Sequence, residues 1–341
     1  MVLDAGWSGV KRFLPFSLDD FAVETGALQR RRGVRDGECL VRSLLLCALP
    51  KLTYHTSAQI AREANISELS GQALFKRMVD AEALMNGLFM HVLKHAASPS
   101  ECWAGRRLLA VDATTLCGPG SKGTDQRLHI VYDLGKGLPV SAELTDRRGG
   151  ESFKRHHSFG QGDLVLADAC YGVGPGLQSL IRSGANFLVR FNFETIRLLG
   201  EDDQKIWLEQ ADAILPAEGY VDFCVYLPDC VIPLRVIGGR NNKGKGVWLI
   251  TDLGEEDIPR DEARALYSRR WQIELFFKRM KSLIDLDELP SRNGPGIRPW
   301  IWTKLLLAAL AALLADERFS PWESEEEESL EELSQRALAA A

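Results

Sequence analysis

"RRLLAVDATTL", residues 106–116, is an apolar run that closes on a carboxylate, Asp112. A short apolar run bounded by polar residues reads as a buried strand. Two further strands follow, "LHIVYDL" (128–134) and "PVSAELTD" (139–146), joined through a Gly-Pro turn region. "DLVLADACYG" (163–172) repeats the first form, an apolar strand closing on Asp168. "GPGLQSLIRSGA" (174–185) then reads as a helix and "NFLVRFN" (186–192) as another strand. Three strands in hairpin order, then strand and helix in alternation, predict an α/β core with a mixed sheet and flanking helices.

Outward from this core the texture changes on both sides. Residues 1–100 read as helical, with Ser17 placed to cap the helix in "SLDDFAVETGAL". "TSAQIAREANISELSGQALFKRMVDAEALM" reads as helix, turn, helix, with Thr56 or Ser57 as the first cap. Such a pair is either a DNA-binding helix-turn-helix or two helices of an ordinary bundle, and the bundle is the commoner case. Residues 194–258 read as a β-rich insertion carrying the basic loop "GRNNKGKG" (239–246), with Lys243 and Lys245. The core then comprises residues 101–193 and 259–315. An acidic tail, 316–341, reads as a solvated helix or a partly disordered segment.

Composition excludes several classes. The 341 residues are 45% apolar and 26% charged, as in soluble globular proteins. Seven cysteines without a C-x-x-C pair argue against a disulfide framework or zinc module and fit a reducing cytoplasm. The N-terminus lacks a signal-peptide core, and the apolar run "LLLAALAALLA" (305–315) is too short to span a bilayer, so no membrane is expected. The net charge of −6 is concentrated in the tail, where nine acids face two bases. Residues 260–304 carry ten bases against six acids, a local face that suits phosphate.

Within that basic stretch lies "YSRRWQIELFFKRMKSL" (267–283). Read as one helix at about 100° per residue, it puts Tyr267, Arg270, Glu274 and Lys281 on one stripe. Leu266, Ile273, Phe277, Met280 and Ile284 form an apolar stripe beside it. Asp112 and Asp168, each closing a strand, are expected at one rim of the sheet, where α/β sites gather. With Glu274 they would make a hard oxygen cage for Mg²⁺ or Mn²⁺. Two such ions support phosphodiester cleavage. Arg270 and Lys281 would hold phosphates, the first as a fork and the second as a point charge. Taken singly, an Asp after a strand is often a turn residue and a charged stripe is usually a solvated face.

"VDATTL" at Asp112, "LADACYG" at Asp168 and the pattern Y-x2-R-x3-E-x6-K at Tyr267, Arg270, Glu274 and Lys281 resemble the IS-four family of DDE transposases of bacterial insertion sequences. The resemblance covers roughly residues 50–310. It implies an RNase-H-like core interrupted by a β-rich insertion, with about two divalent ions held by Asp112, Asp168 and Glu274. It implies cut-and-paste transposition through a hairpinned DNA end, acting on the terminal inverted repeats and target DNA as a homodimeric synaptic complex. Tyr267, Arg270 and Lys281 are then expected on phosphates near a flipped base. Lys278, Lys243 and Lys245 add cations for DNA. Trp271 is a stacking partner or a core residue, and Trp207 and Trp248 are the other aromatic candidates. Two readings compete: a hydrolytic nuclease that cuts without joining, and a non-catalytic regulator derived from a transposase. The regulator is disfavoured because every signature position keeps a chemically competent residue.

Other signals receive plainer readings. "GPGSKG" (118–123) is a turn without the phosphate-loop spacing. His156 and His157 read as exposed loop residues, Cys224 and Cys230 as buried strand residues. The basic stretch "RRGGESFKRHH" (147–157) is expected to touch DNA backbone.

Overall fold

The computed structural model describes residues 4–95, 102–156, 159–291 and 294–316. The acidic tail beyond Asp316 and His157 lie outside the described residues.

Six helices open the chain: α1 (Asp4–Lys11), α2 (Leu18–Glu24), α3 (Gly37–Cys47), α4 (Tyr54–Glu63), α5 (Gly71–Val79) and α6 (Glu82–His95). Ser17 caps α2 through the Asp20 amide, 3.2 Å away. The cap of α4 is Thr53, whose hydroxyl accepts from the Thr56 amide at 3.2 Å, so Thr56 and Ser57 lie one turn inside the helix and not at its cap. α4 and α5 are joined by residues 64–70, longer than the three- or four-residue turn of a DNA-binding helix pair. α3 is apolar nearly all round, and Leu40, Val41, Leu44 and Leu45 are fully buried. A helix with no polar face belongs inside a bundle.

α11 (Ile297–Asp316) joins this bundle from the far end of the chain and packs on α3 and α6. It is longer than its apolar run and long enough to cross a bilayer by length and composition. It is nevertheless a core helix here: Ile301, Leu306 and Leu310 are fully buried, and Trp302 lies 5.9 Å from Phe89, ring to ring. Each such side chain contributes roughly 1.5–3 kcal/mol of burial.

The sheet contains β1 (Cys102–Trp103), β2 (Arg106–Leu116), β3 (Gln126–Asp133), β4 (Leu138–Asp146), β5 (Asp163–Ala167), β6 (Asn186–Arg190), β7 (Tyr220–Val225), β8 (Leu234–Arg240) and β9 (Gly246–Thr251). Its order is β4-β3-β2-β5-β6-β9-β8-β7, with β1 paired to β2. β2, β5 and β6 run parallel, and the other pairs are antiparallel. A parallel step needs a crossover, which α7 (Gly174–Ser183) supplies between β5 and β6. The β-rich insertion adds α8 (Leu208–Ile214) and three strands, and β9 pairs with β6, so these strands prolong the same sheet.

Alternation along the strands sorts the side chains by face. Leu109, Val111, Val165, Ala167, Phe187 and Val189 pack against Leu177 and Leu180 of α7. Leu108, Leu164, Leu166 and Leu188 pack on the opposite face against Ala263 and Leu266 of α9 (Arg260–Ser268). Ala110, Leu116, Leu128 and Ile130 join the cluster that holds Ile273, Phe276, Phe277 and Met280 of α10 (Trp271–Ile284).

The signature stretch is therefore two helices, not one. At the junction the Arg270 amide bonds Tyr267 O at 3.0 Å and the Gln272 amide bonds Arg269 O at 3.1 Å. These are i to i−3 bonds, tighter than the α ladder, and they re-aim the axis between Ser268 and Trp271.

Candidate active site

Register brings the two aspartates together. β2 and β5 pair in parallel with Val111 opposite Ala167, so Asp112 and Asp168 stand abreast at the next position. Both continue the even-numbered series that faces α9 and α10. Asp112 does not end its strand: β2 runs on to Leu116, held by β3 through Leu116 opposite Gln126. Only the β5 side of β2 stops there. Beyond Ala167 the chain turns back, with the Cys170 amide on Asp168 Oδ1 at 3.0 Å and the Tyr171 amide on Asp168 O at 3.2 Å.

α10 lies over this rim. Arg270 Nη1 is 3.4 Å from Asp112 Oδ2, and Nη2 donates to Glu274 Oε1. The Arg270 and Asp112 side chains are 14% and 15% exposed, so the pair is poorly hydrated. Burial is the main cause that lifts the Asp112 carboxyl to about 7. Arg270 opposes that rise, while the neighbouring Asp168 and Glu274 charges add to it. Tyr267 is partly buried, with its ring centroid 5.7 Å from the Arg270 guanidinium carbon. Burial pushes its phenol up to about 12.

An open cleft of about 600 Å³ runs from this centre along α10. Asp112, Thr114, Glu274, Lys278, Lys281 and Asp287 line it. Its walls thus combine Asp112 and Glu274 with two ammonium groups over the next two turns of α10 and Asp287 from the loop after that helix.

Lys243 and Lys245 are exposed on the β8–β9 hairpin, where Asn241 Oδ1 accepts from both of their amides at 3.0 and 2.9 Å. Arg240 opposite Gly246 and Arg190 opposite Leu249 put this hairpin at the edge where β5 and β6 end, the rim that carries Asp168. Trp271 is half-buried in the first turn of α10 and is not among the residues lining the cleft. Trp207 is 53% exposed, with the Lys205 ammonium 3.4 Å from its ring centroid. Trp248 is buried against Phe193 and Phe223, so a core role replaces its candidacy as a stacking surface.

The segment before β5 departs most from its sequence reading. His156 is buried, its ring packed on Tyr171 and Phe159, not exposed in a loop. Arg155 is turned inward to Gly150 O at 2.7 Å and Glu143 at 3.3 Å. Glu151, unmarked in the sequence because bases surround it, comes to Asp168: ligand atoms of Glu151, Asp168 and Cys170 lie within 4.8 Å of one another. Burial first, and the Asp168 charge second, raise the Glu151 carboxyl. Cys224 and Cys230 are only half-buried, and Cys230 lies beyond the end of β7.

Residues 103–310 match the family model described as "Transposase DDE domain". The chain belongs to that family. Over 92% of its length it is 28% identical to transposase InsL of insertion sequence element IS186A from Escherichia coli K12, covering 94% of that relative. The transposase for insertion sequence element IS421 of Escherichia coli is equally similar, 28% identical with the same coverage. Among solved structures, a piggyBac transposase synaptic complex with hairpin DNA aligns with a TM-score of 0.50 over 96% of this chain and 76% of that one, at 11% identity. That likeness concerns the fold, which is RNase-H-like. In this transposase the three strands within residues 194–258 continue the sheet formed by β1–β6, and six helices precede that sheet in the chain.

Proposed function

We propose that this transposase excises an insertion sequence by cutting DNA at its terminal inverted repeats, closing each end as a hairpin, and joining the ends to target DNA. The observation that carries the reading is one guanidinium, Arg270, bridging Asp112 and Glu274, with Asp168 abreast of Asp112. Three carboxylates converge there, and the charge between them is cationic. That all-oxygen donor set fits Mg²⁺ or Mn²⁺, and three carboxylates suffice to hold two ions with water completing their shells. Bound ions would supply an activated nucleophile and stabilise the leaving oxygen.

The chain's own residues do the rest. Asp112, Asp168 and Glu274 are the metal ligands. Arg270, now on the carboxylates, would serve a phosphate if ions held Asp112 and Glu274, and its fork suits two phosphate oxygens. Lys278 and Lys281 track the strand along the cleft, and Lys243 and Lys245 meet the duplex from the insertion. Tyr267 and an exposed aromatic, Trp207 or the half-buried Trp271, organise the nucleotides around a flipped base. The N-terminal helices add duplex contacts, two protomers hold two ends in synapsis, and the work is done in the cytoplasm. The similarity to transposases of insertion sequences, and to a fold solved with hairpin DNA, supports this reading.

The test incubates the protein and Mg²⁺ with labelled ends of its own flanking element. Hairpins and joined products are expected. Linear cuts alone would indicate a hydrolytic nuclease, and binding without cuts a regulator.

A further inference from the structure

We propose that Glu151, Asp168 and Cys170 form a second cation site that takes a thiophilic divalent ion such as Zn²⁺, and that filling it withdraws Asp168 from the Asp112 and Glu274 centre. The withdrawal rests on the metal role given to Asp168 above; the binding does not.

The three ligand atoms already lie within 4.8 Å of one another. Donors around a tetrahedral zinc ion stand roughly 3.5 Å apart, so closing the site asks only for small side-chain rotations. Backbone holds two of the three in place. The turn after β5 folds back on Asp168, its Oδ1 accepting from the Cys170 amide at 3.0 Å. Glu151 arrives from the segment before the 3-10 turn Phe153–Arg155, steadied by Arg127, which bonds Gly149 O at 2.9 Å and lies 4.0 Å from Glu151. Cys170 is exposed, which leaves the site an entry path.

A second observation points the same way. Tyr171 is fully buried, and its hydroxyl has no hydrogen-bond partner. Buried hydroxyls in native proteins are rarely left so. Its ring, next in the chain to Cys170, is fixed by Phe153, 5.1 Å away, and burial first, then the charges of Glu151, Asp112, Asp168 and Cys170, raise its phenol. Side-chain rotation that closes the site would bring a carboxylate oxygen or a water as the acceptor that this phenol lacks.

The donor chemistry separates this site from its neighbour. A thiolate beside two carboxylates selects Zn²⁺ or Cd²⁺, whereas an all-oxygen set suits Mg²⁺. Ligation moves the Cys170 proton to solvent and forms a metal–sulfur bond, with no redox step. The two centres share one side chain, Asp168. Zinc therefore acts as a competitor of the catalytic ions without entering their cage.

The experiment titrates the metal-stripped, full-length protein with Cd²⁺ and follows the ultraviolet charge-transfer band of a cadmium thiolate. The band is expected in a Cys102→Ser, Cys117→Ser background, which removes the other exposed thiols. It should vanish in Cys170→Ser, and Glu151→Gln should weaken the affinity by about tenfold or more. Thermal melts establish that each variant is folded. In parallel, cleavage of element ends at fixed Mg²⁺ is compared with and without Zn²⁺ within each variant. Zinc should slow the parent and leave the Cys170→Ser rate ratio near unity. A band that survives Cys170→Ser, or full affinity in Glu151→Gln, overturns the site. Equal zinc inhibition in both proteins overturns the competition. Absence of any Mg²⁺-supported cleavage counts against the proposed function alone, since the cadmium band is read without DNA.

Discussion

Nη1 of Arg270 lies 3.4 Å from Oδ2 of Asp112, a contact between residues 158 positions apart in sequence. Its other nitrogen bonds Glu274, so the guanidinium would compete with the divalent ions proposed for these carboxylates. Charge repulsion at this range is large: two unit charges about 4 Å apart interact by about 4 kcal/mol at an effective dielectric near 20. Arg270→Gln should therefore tighten Mn²⁺ binding to the DNA-free protein by about tenfold or more, using a fraction of that energy. The same variant should bind DNA ends more weakly. Calorimetric titration with Mn²⁺ and anisotropy with labelled DNA measure the two effects. Unchanged Mn²⁺ affinity would show that Arg270 does not compete for the carboxylates.

The raised Asp112 carboxyl gives a pH signature. An unfolded aspartate ionises near about 3.9, whereas Asp112 is lifted to about 7, chiefly by burial. Between those values the native state holds a proton that the unfolded state has lost. Stability of the metal-free protein should fall as pH rises through this window. Asp112→Asn should flatten that slope, which denaturant melts across the window would reveal. Divalent ions need the ionised form, so their affinity should climb as pH passes about 7 and then level off. A metal affinity independent of pH would remove Asp112 from the ligand set.

Much of this arrangement was legible in the chain, for identifiable reasons. "LLAVD" and "LVLAD" mark their strands because buried parallel strands are apolar on both faces. The apolar stripe of Ile273, Phe277 and Met280 marks the helix that covers them. The break at Arg269 and Arg270 left no such mark, since both residues are good helix formers and the tightening comes from packing α9 on one part of the sheet and α10 on another. Glu151 was hidden because only the fold, not the sequence distance, brings it to Asp168. The exposed reading of His156 rested on adjacent histidines pointing in different directions, and it failed because this ring packs on Tyr171.

Roles along the signature should separate in kinetics. Glu274 is assigned to the ions and Arg270 and Lys281 to phosphates. Nicking the first strand asks little distortion of DNA, whereas hairpin closure unstacks a base at a cost of a few kcal/mol. Arg270→Ala and Lys281→Ala should slow hairpin closure more than nicking. Glu274→Ala should stop both. An abasic nucleotide at the flipped position should partly rescue Arg270→Ala. Equal slowing of both steps without rescue would reduce these residues to simple DNA anchors.

The hairpin lysines make a salt prediction. Lys243 and Lys245 sit on the rim that carries Asp168, on the hairpin of the second and third strands from β5, where the proposed duplex would pass. If each neutralises one phosphate, Lys243→Ala with Lys245→Ala should lower the slope of log affinity against log salt by about 1.8. Cleavage at saturating protein should change little. An unaltered slope would place the hairpin off the DNA path.

Lys304 tests how α10 is held. Its ammonium is buried on α11, and it donates to Ile284 O and, at 3.0 Å, to Asp285 O at the C-terminus of α10. Asp285 adopts a left-handed conformation there, with φ of 50°, so the helix ends sharply and its last carbonyls look for donors. Lys304→Met keeps the apolar stem but orphans those carbonyls, at a cost of about 1–3 kcal/mol. The loss should fray the last turn of α10, where Lys281 faces the cleft, and hydrogen exchange should quicken there while β5 stays protected. Burial also lowers the Lys304 ammonium to about 8. Above that pH the native state sheds a proton that the unfolded chain keeps up to about 10.4, so wild-type stability gains with pH in that window. The gap between wild type and Lys304→Met should widen there and stay constant below about 8. A gap that narrows instead would mean that Lys304 is held chiefly by its charge, through Asp285, Asp287 and Glu288, and not as a hydrogen-bond donor to the helix end.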